Sequence, residues 1–103
     1  MPEIDLEKAQ REEIRWRLLR ALDAGRPLPV LESLLLRICQ DVDLPATPSQ
    51  VRRELAYLEI RGLVRIHGKL GPTWRAELTR DGVDVVEYAV ACESGIARPP
   101  RDW

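Results

Sequence analysis

The sequence predicts a mainly α-helical domain with a small β-hairpin, arranged as a winged helix-turn-helix. Residues 47–61 show the apolar spacing of a short helix that begins after a T-P-S-Q capping sequence and stops at Gly62. Residues 63–78 then alternate between apolar and polar side chains on both sides of a turn rich in Gly and Pro. Because two strands this short are not stable alone, the hairpin must pack on helices.

The first helix is expected at residues 5–24, where Ile14 and Leu18 follow the spacing of a core-facing stripe. Trp16 and Leu19 lie well off that stripe, on a second face of the same helix. A C-terminal helix of the same chain would cover this face, or a second subunit would. The sequence leaves both explanations open.

The second helix is expected at residues 30–41, with a broad apolar face suited to the centre of a three-helix core: Leu31, Leu34, Leu35, Ile38 and Val42. A fourth helix is expected to begin near Thr79 and to end at Gly95, and its apolar stripe is Val83, Val86, Ala89 and Val90. Residues 1–98 then form one winged helix-turn-helix domain. Residues 99–103, which open with two prolines, form a flexible tail.

Length and composition fit one soluble domain, because the chain has 103 residues, of which 45% are hydrophobic and 32% charged. No apolar run approaches the ~20 residues that a membrane span needs, and the N-terminus is charged where a signal peptide would be apolar. We therefore expect a cytoplasmic protein. Cys39 and Cys92 are isolated on predicted helices, where we expect small apolar packing rather than a metal or redox site.

Catalysis finds little support in this sequence. The chain has one histidine and lacks the G-x-S-x-G, P-loop and H-E-x-x-H patterns. Its acidic clusters have no neighbouring nucleophile and fit solvated helix faces or the first turn of a helix. We expect no enzymatic activity, no cofactor and no metal.

Positive charge is concentrated in the predicted third helix and hairpin. Residues 47–80 hold seven Lys or Arg against three Glu, a balance of +4, whereas residues 1–46 and 81–103 carry −2 and −3. The formal charge of −1 therefore conceals one basic region. Such a region is compatible with local nucleic-acid contact in a protein that is acidic elsewhere.

Opposite its inward stripe of Val51, Leu55 and Leu58, the third helix presents small and polar side chains. Arginine can bond guanine in the major groove, glutamine can bond adenine, and serine or tyrosine can bond phosphate. Glu54 and Glu59 weaken the positive field of this helix, and a solvated face with local ion pairs is the alternative. The residues of this helix that we expect to contact DNA are Ser49, Gln50, Arg52, Arg53 and Tyr57.

The hairpin tip supplies a second candidate DNA contact, through Lys69 and Arg75. If the strands close at the Gly-Pro turn, Arg65 faces Glu77 and forms a cross-strand ion pair. His67 then lies beside Arg75 with no acid nearby, and an anionic partner would relieve their repulsion. The alternative is that these exposed charges keep a short edge hairpin from pairing with another chain.

The segment VRRELAYLEIRGLVRIHGKLGPTWRAELTRDGVDVV resembles the recognition helix, wing and following helix of bacterial winged-helix regulators such as the MarR, PadR and ArsR groups. The likeness lies in V-x-x-x-L-x-x-L-E-x-x-G-L-V from Val51 and in L-T-x-x-G from Leu78. Size and layout also resemble the small winged-helix proteins of Mu-like transposable phages, which implies a fold and a genomic setting. Carried over from the regulators, the groove-facing and wing residues would be Ser49, Gln50, Arg52, Arg53, Tyr57, Lys69 and Arg75.

Together these features predict a double-stranded DNA-binding protein, a small transcriptional regulator that forms a homodimer and has no evident small-molecule effector. The expected subunit contact joins the first and last helices through Trp16, Leu19, Val86 and Val90. The rival function is a winged helix that binds a partner protein through Trp16, Leu19, Leu36, Tyr57 and Ile60. The low pI of 5.9 and the apolar Ile60 favour this rival, whereas the +4 segment favours DNA.

Overall fold

Four helices and three short strands make up residues 3–101, the part of the chain that this computed structural model describes. The helices are α1 (Leu6–Gly25), α2 (Glu32–Asp41), α3 (Pro48–Ile60) and α4 (Arg80–Val86). The strands are β1 (Val30–Leu31), β2 (Val64–His67) and β3 (Arg75–Leu78). The expected combination of helices with a small β-hairpin is thus confirmed as an α+β fold.

Side-chain caps fix where three of the helices begin. The Asp5 carboxylate accepts a hydrogen bond from the Lys8 amide at 2.9 Å at the start of α1. Thr47 Oγ1 accepts from the Gln50 amide at 3.1 Å, as the capping sequence predicted, and Pro48 occupies the first turn of α3. Thr79 caps α4 in the same way, through the amide of residue 82. The first residues of α1, α3 and α4 are therefore determined by the positions of these capping residues in the sequence.

The three strands form one antiparallel sheet in the order β1-β3-β2. Val64, Ile66 and Ala76 are buried on the side of the sheet that faces the helices. The prediction that residues 30–31 begin α2 was wrong, because Val30 instead pairs with Ala76 across β1 and β3. This two-residue strand covers the edge of β3, and Leu31 then leads into α2.

The core lies where α1, α2 and α3 meet above the sheet. The inward stripe of α3 is confirmed, since Val51, Leu55 and Leu58 are almost completely buried. In α2 the predicted broad face was only partly right. Leu35 and Cys39 are fully buried, but Leu34 and Val42 are 50% and 40% exposed, because α1 and α3 cover one side of this short helix and leave the rest open.

The isolated cysteine at position 39 is thus a small core residue, as expected, while Cys92 is half-buried.

The fourth helix is much shorter than predicted, because it ends at Val86 rather than near residue 95. Its buried side is formed by Gly82 and Val85, not by the expected stripe. A Cβ atom at Gly82 would clash with the Leu63 carbonyl oxygen, so glycine permits the close approach of α4 to the chain entering β2. Tyr88 then adopts a left-handed conformation, with φ at 61°, which ends the helical path.

The segment after α4 packs back along α1 instead of forming helix. The Ala97 amide donates to the Glu12 carbonyl at 3.1 Å, and the Arg98 guanidinium donates to the carbonyls of Val85 and Val90 at 3.0 and 2.9 Å. At the start of the expected flexible tail, the Pro99 carbonyl accepts from the Tyr88 hydroxyl at 2.8 Å. Asp102 and Trp103, the last two residues of that tail, lie outside the described residues.

A membrane-spanning helix is absent from residues 3–101, since none of the four helices combines the necessary length with sufficient apolar character.

Candidate nucleic-acid interface

The outer face of α3 presents Ser49, Arg53 and Ala56, on the side away from the buried stripe. Ser49 and Arg53 are exposed, Ala56 is half-buried, and Gln50 lies half-buried at the edge. Within residues 3–101, Arg53 forms no ion pair or side-chain hydrogen bond, although several other arginines do. Its guanidinium therefore keeps all five N–H donors available for an external acceptor.

The two glutamates expected to weaken the field of α3 are both directed away from its outer face. Glu54 is fully buried against α1, where its carboxylate accepts from Arg15 Nε at 2.8 Å. Glu59 forms an ion pair with Lys69 and accepts the Ile66 amide at 3.1 Å. The Lys69 ammonium, followed by that amide, holds the pKa of Glu59 below its ordinary value, so it stays ionised and engaged in the hairpin. The outer face of α3 thus carries no free acid among the described residues.

Arg52, one of the residues expected to contact DNA, is bound to other residues of the chain. Its guanidinium forms a fork with the Glu32 carboxylate, with distances of 2.7 and 2.8 Å, and donates to the Pro72 carbonyl at 3.0 Å. The same group stacks over the Trp74 ring, 4.6 Å from its centroid. Arg52 therefore joins α3 to the start of α2 and to the hairpin, and a phosphate could reach it only by competing with Glu32.

The Glu32 carboxylate is the centre of this junction. It accepts two hydrogen bonds from Arg52 and a third from the Trp74 amide. The bond to Arg52 is the main reason that the pKa of Glu32 is lowered, and the reciprocal bond raises the pKa of Arg52. Sequence reasoning missed this pair, because its members are 20 residues apart and lie on different elements.

Tyr57 lies at the edge of the outer face and is turned toward α1. Two guanidinium groups lie over its ring, that of Arg15 at 3.6 Å and that of Arg61 at 5.1 Å from the ring centroid. Its hydroxyl leaves no space for a side chain at Gly95. Tyr57 therefore packs against Arg15, Arg61 and the C-terminal segment at Gly95.

The predicted pairing of residues across the hairpin is confirmed. The prediction that no acid lies near its basic side chains is not. Arg65 pairs with Glu77 across the strands at 3.2 Å. His67 does lie opposite Arg75, yet its Nε2 is 3.1 Å from the same Glu77 carboxylate, so the expectation of no nearby acid was wrong. With Lys69 bound to the carboxylate at position 59, Arg75 is the predicted hairpin contact that remains exposed and unpaired in residues 3–101.

Of the residues expected at a subunit interface, two belong to the core of the single chain. Trp16 is 4% exposed and Leu19 is fully buried. The Trp16 ring meets the Tyr88 ring edge-on, with centroids 6.3 Å apart. Packing within the chain therefore explains this second face of α1. Val86 is half-buried and Val90 is 47% exposed, so both are more accessible to solvent than Trp16 and Leu19.

Fewer of the residues expected to contact DNA are exposed and unpaired than the sequence proposed. Ser49, Gln50 and Arg53 share the outward side of α3, and Arg75 is exposed and unpaired within residues 3–101 on the hairpin, which packs against α3. Residues 3–101 contain no cluster of three or more His, Cys, Asp or Glu side chains that could hold a metal ion. Comparisons with models of protein families, with curated proteins and with solved structures found no match for this chain.

Proposed function

We propose that this protein is a winged helix-turn-helix that binds double-stranded DNA as a small transcriptional regulator. The element order α1-β1-α2-α3-β2-β3-α4 and the sheet order β1-β3-β2 support the assignment. In this scheme α2 and α3 form the helix-turn-helix, α3 is the recognition helix, and the β2–β3 hairpin is the wing. A helix of 13 residues is ~20 Å long and fits a B-DNA major groove about 12 Å wide.

The observation that carries the proposal is the acid-free outer face of α3. Arg53 is exposed there and has no partner among the described residues, and Ser49 lies one turn before it on α3. In the proposed complex Arg53 bonds a guanine edge, Gln50 an adenine edge, and Ser49 a phosphate. Arg75 adds a phosphate contact from the wing.

Arg52 and Lys69 take a different part in this mechanism from the one that the sequence suggested. Each is bound to a carboxylate that also accepts a backbone amide of the hairpin region, Glu32 for Arg52 and Glu59 for Lys69. These pairs fix the hairpin against α2 and α3. They position the free cations Arg53 and Arg75, and they do not themselves contact DNA.

The experiment that tests the proposal is selection of bound sequences from a random DNA pool, followed by anisotropy titrations of Arg53→Ala. On the selected site this substitution should weaken binding by ~1–3 kcal/mol and relax the base preference at one position. Arg20→Ala is the matched control, since Arg20 is also exposed and has no ion pair within residues 3–101. An equal loss on selected and random duplexes would show that Arg53 does not read a base.

A protein partner is the second candidate function, and one observation favours it. Ile60 continues the outer stripe of α3 and is 87% exposed, and Leu70 at the hairpin tip is fully exposed. Trp16 and Leu19 are buried and cannot join such a surface. Ile60→Lys separates the candidates, because it should preserve or strengthen DNA binding but abolish an apolar protein contact.

A further inference from the structure

A cleft of about 270 Å³ opens between the end of α3, α4 and the segment that follows α4. Its apolar lining includes Leu63, Val85, Val90 and Ile96. The Cys92 thiol also lines it, and burial raises the pKa of that thiol, so the group stays neutral at pH 7. None of the exposed residues of the proposed DNA interface lines this cleft.

Two carboxylates, from Asp81 and Asp84, line the same cleft. They are three residues apart on α4 and therefore share one side of that helix. Within residues 3–101 neither side chain has an ion pair or a hydrogen bond. The favourable field of a helix start explains an acid at Asp81, but Asp84 lies beyond the first turn.

The other charges of the cleft do not neutralise these two. Arg61 and Glu93 line it as well, but they form an ion pair with each other. The lining side chains therefore carry a net charge of −2, from Asp81 and Asp84. Arg98 bonds the carbonyls of Val85 and Val90 beside the cleft but is not part of its lining and forms no ion pair with either aspartate within residues 3–101. An apolar wall beside unpaired carboxylates is complementary to a molecule with an apolar body and one cationic end.

We propose that this cleft binds a small organic cation, an ammonium group attached to a compact apolar body. The ammonium donates hydrogen bonds to Asp81 and Asp84, while the apolar body displaces water from Val85, Val90 and Ile96. The volume lies just below the ~300–1,000 Å³ of sites for drug-sized ligands, so the ligand has about one ring. A metal ion is a poorer match, because a third carboxylate, His or Cys ligand is not clustered here in the described residues.

The test compares three probes of one shape: phenethylamine, phenethyl alcohol and 3-phenylpropionate. Amide chemical shifts of the 15N-labelled protein should change saturably around Val85, Val90 and Ile96 with phenethylamine. We expect the alcohol to bind about tenfold more weakly and the carboxylate not to bind. No saturable change with the amine, or equal affinity for amine and alcohol, overturns the proposal.

Asp84→Asn should reduce the preference for amine over alcohol by about five- to tenfold. Asp41→Asn is the matched control, since Asp41 is an exposed acid at the end of α2 and does not line the cleft. The control should keep the full preference, and loss of preference in both variants would contradict recognition by Asp84. The comparison of the three probes uses the unmodified protein, so it does not depend on whether a variant folds. None of these measurements involves DNA. Their failure would therefore leave the proposed DNA binding untouched.

Discussion

At the scale of residues, the arginines of this chain differ more in what they contact than in where they fall in the sequence. Arg52 and Arg53 are neighbours on α3, yet Arg52 is bound to Glu32 and Arg53 has no side-chain partner within residues 3–101. Arg15, on α1, reaches the buried Glu54 and the Gly95 carbonyl at 2.8 Å each and also stacks on Tyr57. Charge counts along the sequence cannot separate these roles.

The Arg15–Glu54 pair joins α1 to α3 in the core, with the two side chains 13% and 1% exposed. Removing the arginine leaves a buried carboxylate without its cation, and such a change costs about 3–5 kcal/mol. We therefore expect Arg15→Met to lower the free energy of unfolding by this amount in urea denaturation. Adding Glu54→Leu should recover part of the loss, because the unpaired charge is then removed as well. A single variant as stable as the unmodified protein would show that the pair does not stabilise the fold.

Some residue contacts follow from the sequence and others do not. Strand alternation predicted the Arg65–Glu77 pair, since the turn fixes which residues face each other. Alternation also predicted that His67 lies beside Arg75. It did not predict that the His67 ring contacts the carboxylate at position 77. Pairs between separate elements, such as Arg15 with Glu54, were not predictable, because they depend on how helices pack.

At the scale of elements, α3 was predicted well because its signals agree. Thr47 caps it, the proline at position 48 fits its first turn, and Gly62, which follows the C-cap residue, has a left-handed φ of 78°. The start of α2 and the length of α4 were not predicted. At residues 30–31 the pairing of β1 with β3 overrides the helical pattern, and at Tyr88 a left-handed backbone conformation ends it.

The junction of α2, α3 and the hairpin makes a prediction about stability and pH. Glu32→Gln should lower the free energy of unfolding by about 1–3 kcal/mol at pH 7, because charge-assisted hydrogen bonds to Arg52 and to the Trp74 amide are weakened. Since the pKa of Glu32 is lowered in the folded state, its contribution is present above the unfolded pKa of about 4.3 and is lost as pH falls through the folded value.

The difference in stability between Glu32→Gln and the unmodified protein should therefore shrink as pH is lowered from 7 to 3. Denaturation at a series of pH values measures this difference. Glu13→Gln serves as the control, since Glu13 is exposed on α1 and has no ion pair within residues 3–101. A difference that stays constant over this range would show that ionised Glu32 does not hold the junction.

At the scale of the whole molecule, ion pairs within the fold neutralise much of the positive charge that the sequence concentrates in residues 47–80. Four of its seven basic residues bind carboxylates: Arg52, Arg61, Arg65 and Lys69. Three are exposed and have no ion pair within residues 3–101: Arg53, Arg75 and Arg80. The sequence thus located the region of the candidate site, but only the packed structure distinguishes its free cations from its structural ones.

The proposed DNA binding therefore depends on few charges, and the salt dependence of binding to a random duplex tests it most directly. On a random duplex, where Arg53 has no preferred guanine to bond, both Arg53 and Arg75 act as cations near the phosphates. Log K should then fall with log salt with a slope of about −2 for one chain, or about −4 for a dimer. The double variant Arg53→Ala/Arg75→Ala should lose this slope, whereas Arg20→Ala should retain it. A slope near zero for the unmodified protein, or an unchanged slope in the double variant, would contradict DNA binding through α3 and the hairpin.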